Sequence, residues 1–222
     1  MYVYEKMTKN PFTLSPSDSV IKALDLMKQH EFHRVPIVAN NKLVGLVTQG
    51  VIEASAPSSA TSLSIFEINY LFSKANLGDI MIKDVVTIDA SALLEEAALL
   101  MREKNIGALP VLDQGNLVGI ITNKDIFDAF IDLSGYLQAG VRFVIKIRED
   151  KVGVLFDITK CFKEADLPVQ SVSIYHKKDG IYVQVQADVA NPKMANALNN
   201  LGYDVVDIID LTKKITIVTF PS

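Results

Sequence analysis

The chain has 222 residues, 49% hydrophobic and 22% charged, with a net charge of −4. It is too apolar for a disordered chain, and its acidic balance argues against a nucleic-acid binder working through a basic surface. A single cysteine, Cys161, cannot form an intramolecular disulfide and points to a reducing compartment. No uncharged apolar run approaches the roughly 18 residues of a spanning helix. Residues 1–10 carry Glu5, Lys6 and Lys9 with no apolar core behind them, unlike a signal peptide. The expectation is a soluble cytoplasmic protein without membrane contact.

The chain repeats itself. At an offset of 74, residues 7–52 lie on 81–126 without a gap, with 13 identities in 46 positions, among them Met7/Met81, Pro36/Pro110 and Leu43-Val44-Gly45/Leu117-Val118-Gly119. Two copies suggest a pseudo-twofold pair rather than a solenoid. In each, a short extended piece (Pro11–Leu14; Val85–Ile88) precedes a helix. Its apolar face is Val20, Ala23, Leu24 and Met27 in the first copy and Leu94, Ala97, Ala98 and Met101 in the second. Two strands follow, 35–38 and 43–47 or 109–112 and 117–121. Their turns carry Asn40-Asn41 or Gln114-Gly115-Asn116. The second strand runs into a helix, about 123–134 in the second copy, which stops at Gly135. The unit is β-α-β-β-α. Between the copies lie a small polar loop, 54–64, and a helix over 64–74 opened by Ser64 and Glu67 as a capping box.

After Gly140 the period changes to two: Val141, Phe143, Ile145 and Ile147 alternate with a mostly polar set. A helix follows with an apolar face of Val154, Leu155, Ile158, Phe162 and Ala165. Strands at 169–176 and 181–189 are joined by Lys177-Lys178-Asp179-Gly180, a hairpin turn. Asn191-Pro192 opens a helix carrying Met194, Ala195, Leu198 and Leu201, ending at Gly202, before a strand at 205–209. The order β-α-β-β-α-β is ferredoxin-like. The run Ile215–Phe220 would add an edge strand. The expected fold class is therefore α+β, with domains at 1–136 and 140–222.

Chemistry is sparse. His30, His33 and His176 do not pair with Cys161 or a carboxylate at metal-ligand spacing. There is no GxGxxG or Walker loop and no catalytic constellation. His30 and Lys28 end a helix where the dipole favours cations. Thr122-Asn123-Lys124-Asp125 sits where a strand becomes a helix, a position whose N–H groups favour phosphate. Asp125 could accept from a ribose diol, or simply complement the dipole of the first turn.

The repeats, through Thr13 and Thr87, HRVPIV and GALPVL, and LVGLVT and LVGIITNKD, resemble the cystathionine-β-synthase-type (CBS) motif. Such pairs usually bind an adenosine-containing ligand in one or both clefts. The resemblance implies a first cleft of Phe12, Thr13, Phe32, His33, Arg34, Thr122, Lys124 and Asp125, with His33-Arg34 facing phosphate. It implies a second cleft of Thr48, Val51, Val86, Thr87, Ile106, Gly107 and Ala108, lacking the acid and the His-Arg pair. The last 80 residues resemble an ACT domain through their topology and Asp150–Leu155. That implies an amino-acid effector at Asp150, Val152, Gly153, Val154 and Leu155. The combination is similar to bacterial acetoin-utilisation regulatory proteins. It implies a regulatory homodimer binding AMP, ATP or a related adenine nucleotide, neither an enzyme nor a metalloprotein. The alternative is an interaction module with empty clefts.

Overall fold

The computed structural model describes residues 1–56, 65–189 and 191–212. Most of the 54–64 loop, Ser64 of the expected capping box and the run Ile215–Phe220 lie outside the described residues. The chain divides into two compact units, Met1–Phe127 and Asp128–Ser222.

The first unit begins with a one-turn helix α1 (Val3–Lys6) and a two-residue strand β1 (Thr8–Lys9). The first repeat continues with α2 (Val20–His30), β2 (Arg34–Ala39), β3 (Lys42–Thr48) and α3 (Gln49–Ser55). Then come α4 (Ile65–Lys74) and a second one-turn helix, α5 (Leu77–Ile80). The second repeat follows as β4 (Ile88–Asp89), α6 (Leu94–Lys104), β5 (Ala108–Asp113), β6 (Asn116–Thr122) and α7 (Asn123–Ser134).

Both repeats bury the apolar spacing read from their sequence: Val20, Ala23 and Met27 on α2, and Leu94, Ala97 and Met101 on α6. Ser19 caps α2, accepting from the Lys22 N–H at 3.3 Å. Each β-hairpin turns through two residues of positive φ, Asn40-Asn41 (50° and 59°) and Gln114-Gly115 (48° and 79°). These are the two-residue turns whose twist matches paired strands.

The repeats are not self-contained. Residues 1–9 pack on the second repeat: Val3 N–H donates to Ala92 C=O, and Thr8 pairs with Ile120 of β6. The equivalent residues 76–82 pack on the first: Leu77 N–H donates to Asp18 C=O, and Ile82 pairs with Leu46 of β3. Leu77 is fully buried in the core formed by Leu14, Val20, Ala23, Val35, Ile37 and Val47. The second repeat thus has a four-stranded sheet, β1-β6-β5-β4. In the first, β2 and β3 pair alone, and the flanking strands shrink to bridges at Leu14–Ile37 and Leu46–Ile82. Exchanged leading segments, beginning before residues 7 and 81, enlarge the expected repeat boundaries.

The second unit contains β7 (Val141–Ile147), α8 (Val154–Glu164), β8 (Val169–Lys177), β9 (Gly180–Ala187), α9 (Pro192–Asn200) and β10 (Tyr203–Asp210). All pairings are antiparallel, in the order β10-β7-β9-β8. This is the ferredoxin-like arrangement. Phe143, Ile145, Ile158, Phe162, Val185, Met194 and Leu198 fill its core. Two expected core positions turn outward instead. Leu155 is 43% exposed on α8, and Leu201 is 50% exposed just past α9. Cys161 takes the buried place on α8, one turn after Ile158.

The end of α7 belongs to this second unit. Gly135 (φ 68°) stops the helix. The Ser134 C=O accepts from the Arg142 guanidinium at 2.8 Å, and the Gly135 C=O accepts from Gln186 at 2.8 Å. Gln186 is almost fully buried, and its amide is satisfied: Nε2 donates to the Gly135 C=O and to Oε1 of Gln170 at 3.0 Å, and its Oε1 accepts from Arg142 at 3.2 Å. The division between units accordingly falls inside α7 rather than in a linker after it.

Candidate functional site

Two clefts in the first unit are related by the same offset of 74. The larger, about 710 Å³, gathers Phe12, Phe32, His33, Arg34, Thr122 and Lys124 from the expected first set. Local structure explains the convergence. Glu31 leaves α2 in the left-handed conformation (φ 55°), so His30, Phe32 and Arg34 follow one another along the cleft wall. Strand β6 ends at Thr122, and the start of α7 places Asn123 and Lys124 opposite.

Thr13 is exposed and stands outside this lining. Asp125 is likewise outside it, with its carboxylate engaged locally. Oδ2 accepts from the Thr122 N–H at 2.7 Å and from the Thr122 hydroxyl at 2.7 Å. The Asp125 N–H faces the same hydroxyl oxygen at 3.4 Å. This is a reciprocal helix cap. It realises the plain reading of Thr122 and Asp125, a cap on the first turn of α7.

Several lining residues lie outside the expected set, among them Thr8, Lys9, Asn10 and His30. The first three arrive on the exchanged leading segment, which sequence periodicity does not reveal in so short a strand. A helix-end position where the dipole favours cations does not by itself place His30 in a cleft. In the structure it stacks on Phe12, centroids 4.2 Å apart, and both lie about 6 Å from Phe32, at 5.9 and 5.8 Å. Three rings beside Lys9, Arg34 and Lys124 offer a stacking surface next to cations. His33 is oriented by its Nδ1, 2.9 Å from Oε1 of Gln49.

The second cleft, about 440 Å³, is lined by Thr48, Val86, Ile106, Gly107 and Ala108 of the expected set. Val51 and Thr87 are outside that lining. Val86 and Ile106 stand where the first cleft has Phe12 and Phe32, and Gly50 where it has Lys124. Thr48 caps α3, accepting from the Val51 N–H at 3.2 Å, with no acid to answer it. His33 and Arg34 line this cleft as well as the first.

In the second unit, Gly153 precedes α8 with φ 97° and no side-chain cap. A Cβ there would meet nothing within 4 Å, so its conformation, not crowding, demands glycine. Asp150, Val152 and Leu155 are exposed on this turn, whereas Val154 is buried in the core. Among the described residues no group of three His, Cys, Asp or Glu could hold a metal. No described helix is long and apolar enough to cross a membrane.

The CBS domain model matches residues 3–52 and 77–132, the repeats with their exchanged leading helices. A CBS domain-containing protein of Dictyostelium discoideum is 31% identical over 131 residues, 58% of this chain and 90% of that protein. An acetoin utilization protein of Vibrio cholerae has a similar crystal structure. Its TM-score is 0.51, with 33% identity, covering 60% of this chain and 93% of that one. CBSX2 in complex with AMP matches with a TM-score of 0.50 and 31% identity over 60% of this chain and 98% of that one. The fold and these relatives define a paired-repeat module. The chain belongs to the CBS-domain family. Inosine-5'-monophosphate dehydrogenase of Thermoplasma acidophilum is also 31% identical, but over 25% of its length. The chain thus spans about a quarter of that enzyme.

Proposed function

We propose that the chain is a regulatory sensor, not an enzyme, and that its first cleft binds an adenine nucleotide such as AMP or ATP. The observation that carries this reading is the meeting of the Phe12–His30–Phe32 stack with Lys9, Arg34 and Lys124 in one cleft. An adenine would stack on the rings. The phosphates would meet Arg34 and the side chain and N–H of Lys124 in the first turn of α7, whose Asn123 N–H is held by the Gly107 C=O. Asp125 would accept from the ribose diol with Oδ1, its Oδ2 being held by Thr122. Lys9 adds a cation that arrives from the exchanged segment. The AMP complex of CBSX2 supports the ligand class.

The second cleft offers aliphatic residues in place of two rings and glycine in place of lysine, so we read it as the lesser site. We read the second unit as an ACT-type domain, on its sheet order and on the uncapped start of α8. An amino-acid carboxylate would meet the N–H groups of Leu155 and Phe156 in the first turn of α8, beside Asp150 and Val152. Ligand in the first cleft would favour one arrangement of the repeats and so bias the second unit, provided the two arrangements bind it unequally. A homodimer in the cytoplasm is part of the same reading.

Thermal unfolding with and without millimolar AMP, ATP and adenosine tests the central part. A ligand at about 100 times its dissociation constant adds roughly 2.7 kcal/mol, enough to raise the melting temperature visibly. No shift with any of the three overturns the nucleotide reading. Titration calorimetry against the twenty amino acids tests the second unit, and no heat from any of them overturns that part.

A further inference from the structure

The offset of 74 sets Gly107 on His33 and Ala108 on Arg34. Gly107 lines the second cleft and is absent from the lining of the first. Its backbone does not require glycine, since it is not among the residues of positive φ. What a side chain there would displace is a neighbour. A Cβ at 107 would lie 2.6 Å from Nη2 and 3.5 Å from Cζ of Arg34, and next 3.7 Å from the Asn123 amide nitrogen. The guanidinium of Arg34 fills the space that a side chain at 107 would take. Arg34 itself is half-buried, and among the described residues its guanidinium has no carboxylate partner. A half-buried cation with no described carboxylate partner beside a cleft is poised for an anion.

We propose that Gly107 is a positioning residue for the first cleft: by withholding a side chain it seats the Arg34 guanidinium where the phosphate of a nucleotide would be held. The proposal rests on the nucleotide reading of that cleft and deepens it. The missing side chain in the second cleft becomes a condition for the cation of the first, rather than a loss without consequence. A methyl group at 107 would push the planar fork aside, and bidentate contact with phosphate depends on that plane.

The test is titration calorimetry of the full chain with AMP and with adenosine, for wild type, Gly107→Ala, Arg34→Ala and the double variant. The one close contact of the new methyl is the far end of a flexible side chain, so Gly107→Ala retains the fold, which a melting curve checks. Gly107→Ala should weaken AMP about tenfold, the scale of one charge-assisted contact, and leave adenosine unchanged. In the Arg34→Ala background it should weaken AMP no further, because the group it displaces is gone. Equal losses for AMP and adenosine, a full additional loss in the double variant, or an unchanged AMP affinity would each overturn the role of Gly107 while leaving the cleft itself intact. A wild type that binds neither ligand would overturn the cleft reading and this proposal with it.

Discussion

Thr122 and Asp125 hold each other across the first turn of α7, with the hydroxyl of one donating to Oδ2 of the other at 2.7 Å. In the twin position Thr48 faces Val51, and the cap keeps only the backbone bond at 3.2 Å. One repeat therefore has a carboxylate fixed in the first turn of its helix where the other has an aliphatic chain. We expect Asp125→Ala to weaken AMP about tenfold to a hundredfold, from the loss of a contact worth roughly 1.5–3 kcal/mol. Thr48→Ala should leave AMP affinity unchanged. Calorimetric titration of both variants checks the pair, and equal losses would remove the distinction between the clefts.

The exchanged segments predict a symmetric stability effect. A Cβ on Gly119 would overlap the Met7 sulfur and approach Met7 Cγ and the Thr8 C=O, each at 3.0 Å. A Cβ on Gly45 would likewise overlap the Met81 sulfur, 2.8 Å from Met81 Cγ and 3.2 Å from the Ile82 C=O. Gly119→Ala and Gly45→Ala should each cost about 1–3 kcal/mol through overpacking against these segments. Urea unfolding would show it. A change of less than about 0.5 kcal/mol, the range of neutral surface substitutions, in either variant would argue against the exchange at that repeat.

Much of this fold was legible because its signals are local and periodic. The spacing of Val20, Ala23 and Met27, the paired turns and the stop at Gly135 act within a few residues, and the offset of 74 repeats them. The exchange was not legible. Residues 2–6 and 76–80 share no identity across the offset, and only the apolar Val3 and Leu77 and the acidic Glu5 and Asp79 relate them. Helices of four residues are too short to show a period. The same gap hid Thr8, Lys9 and Asn10 from the expected cleft. His30 was hidden differently. Its helix-end position explains it fully, and only the left-handed turn at Glu31 brings it onto Phe12. Leu155 failed as a core position because α8 starts at Val154, which sets the buried face through Ile158, Cys161 and Phe162.

The second unit carries a pH signature. Tyr203 is buried and donates to Oδ2 of Asp157 at 2.7 Å. Burial first, and then that hydrogen bond, push its phenol up to about 12. A folded value above the unfolded value of 10 means the contribution is fully present below pH 10. It is lost as pH rises from there through about 12. Tyr203→Phe should cost about 1 kcal/mol at neutral pH, where one hydrogen bond is removed. It should also flatten the loss of stability above pH 10 seen in the wild type. Denaturation curves at pH 8 and above for both proteins check this, and identical slopes would contradict it.

The stoichiometry of AMP binding to the full chain, measured by calorimetry at concentrations above its dissociation constant, tests the unequal clefts most directly. The account predicts one nucleotide per chain, with the binding isotherm weakened by Asp125→Ala and unaffected by Thr48→Ala. Two nucleotides per chain of similar affinity, or no heat at all, would contradict it.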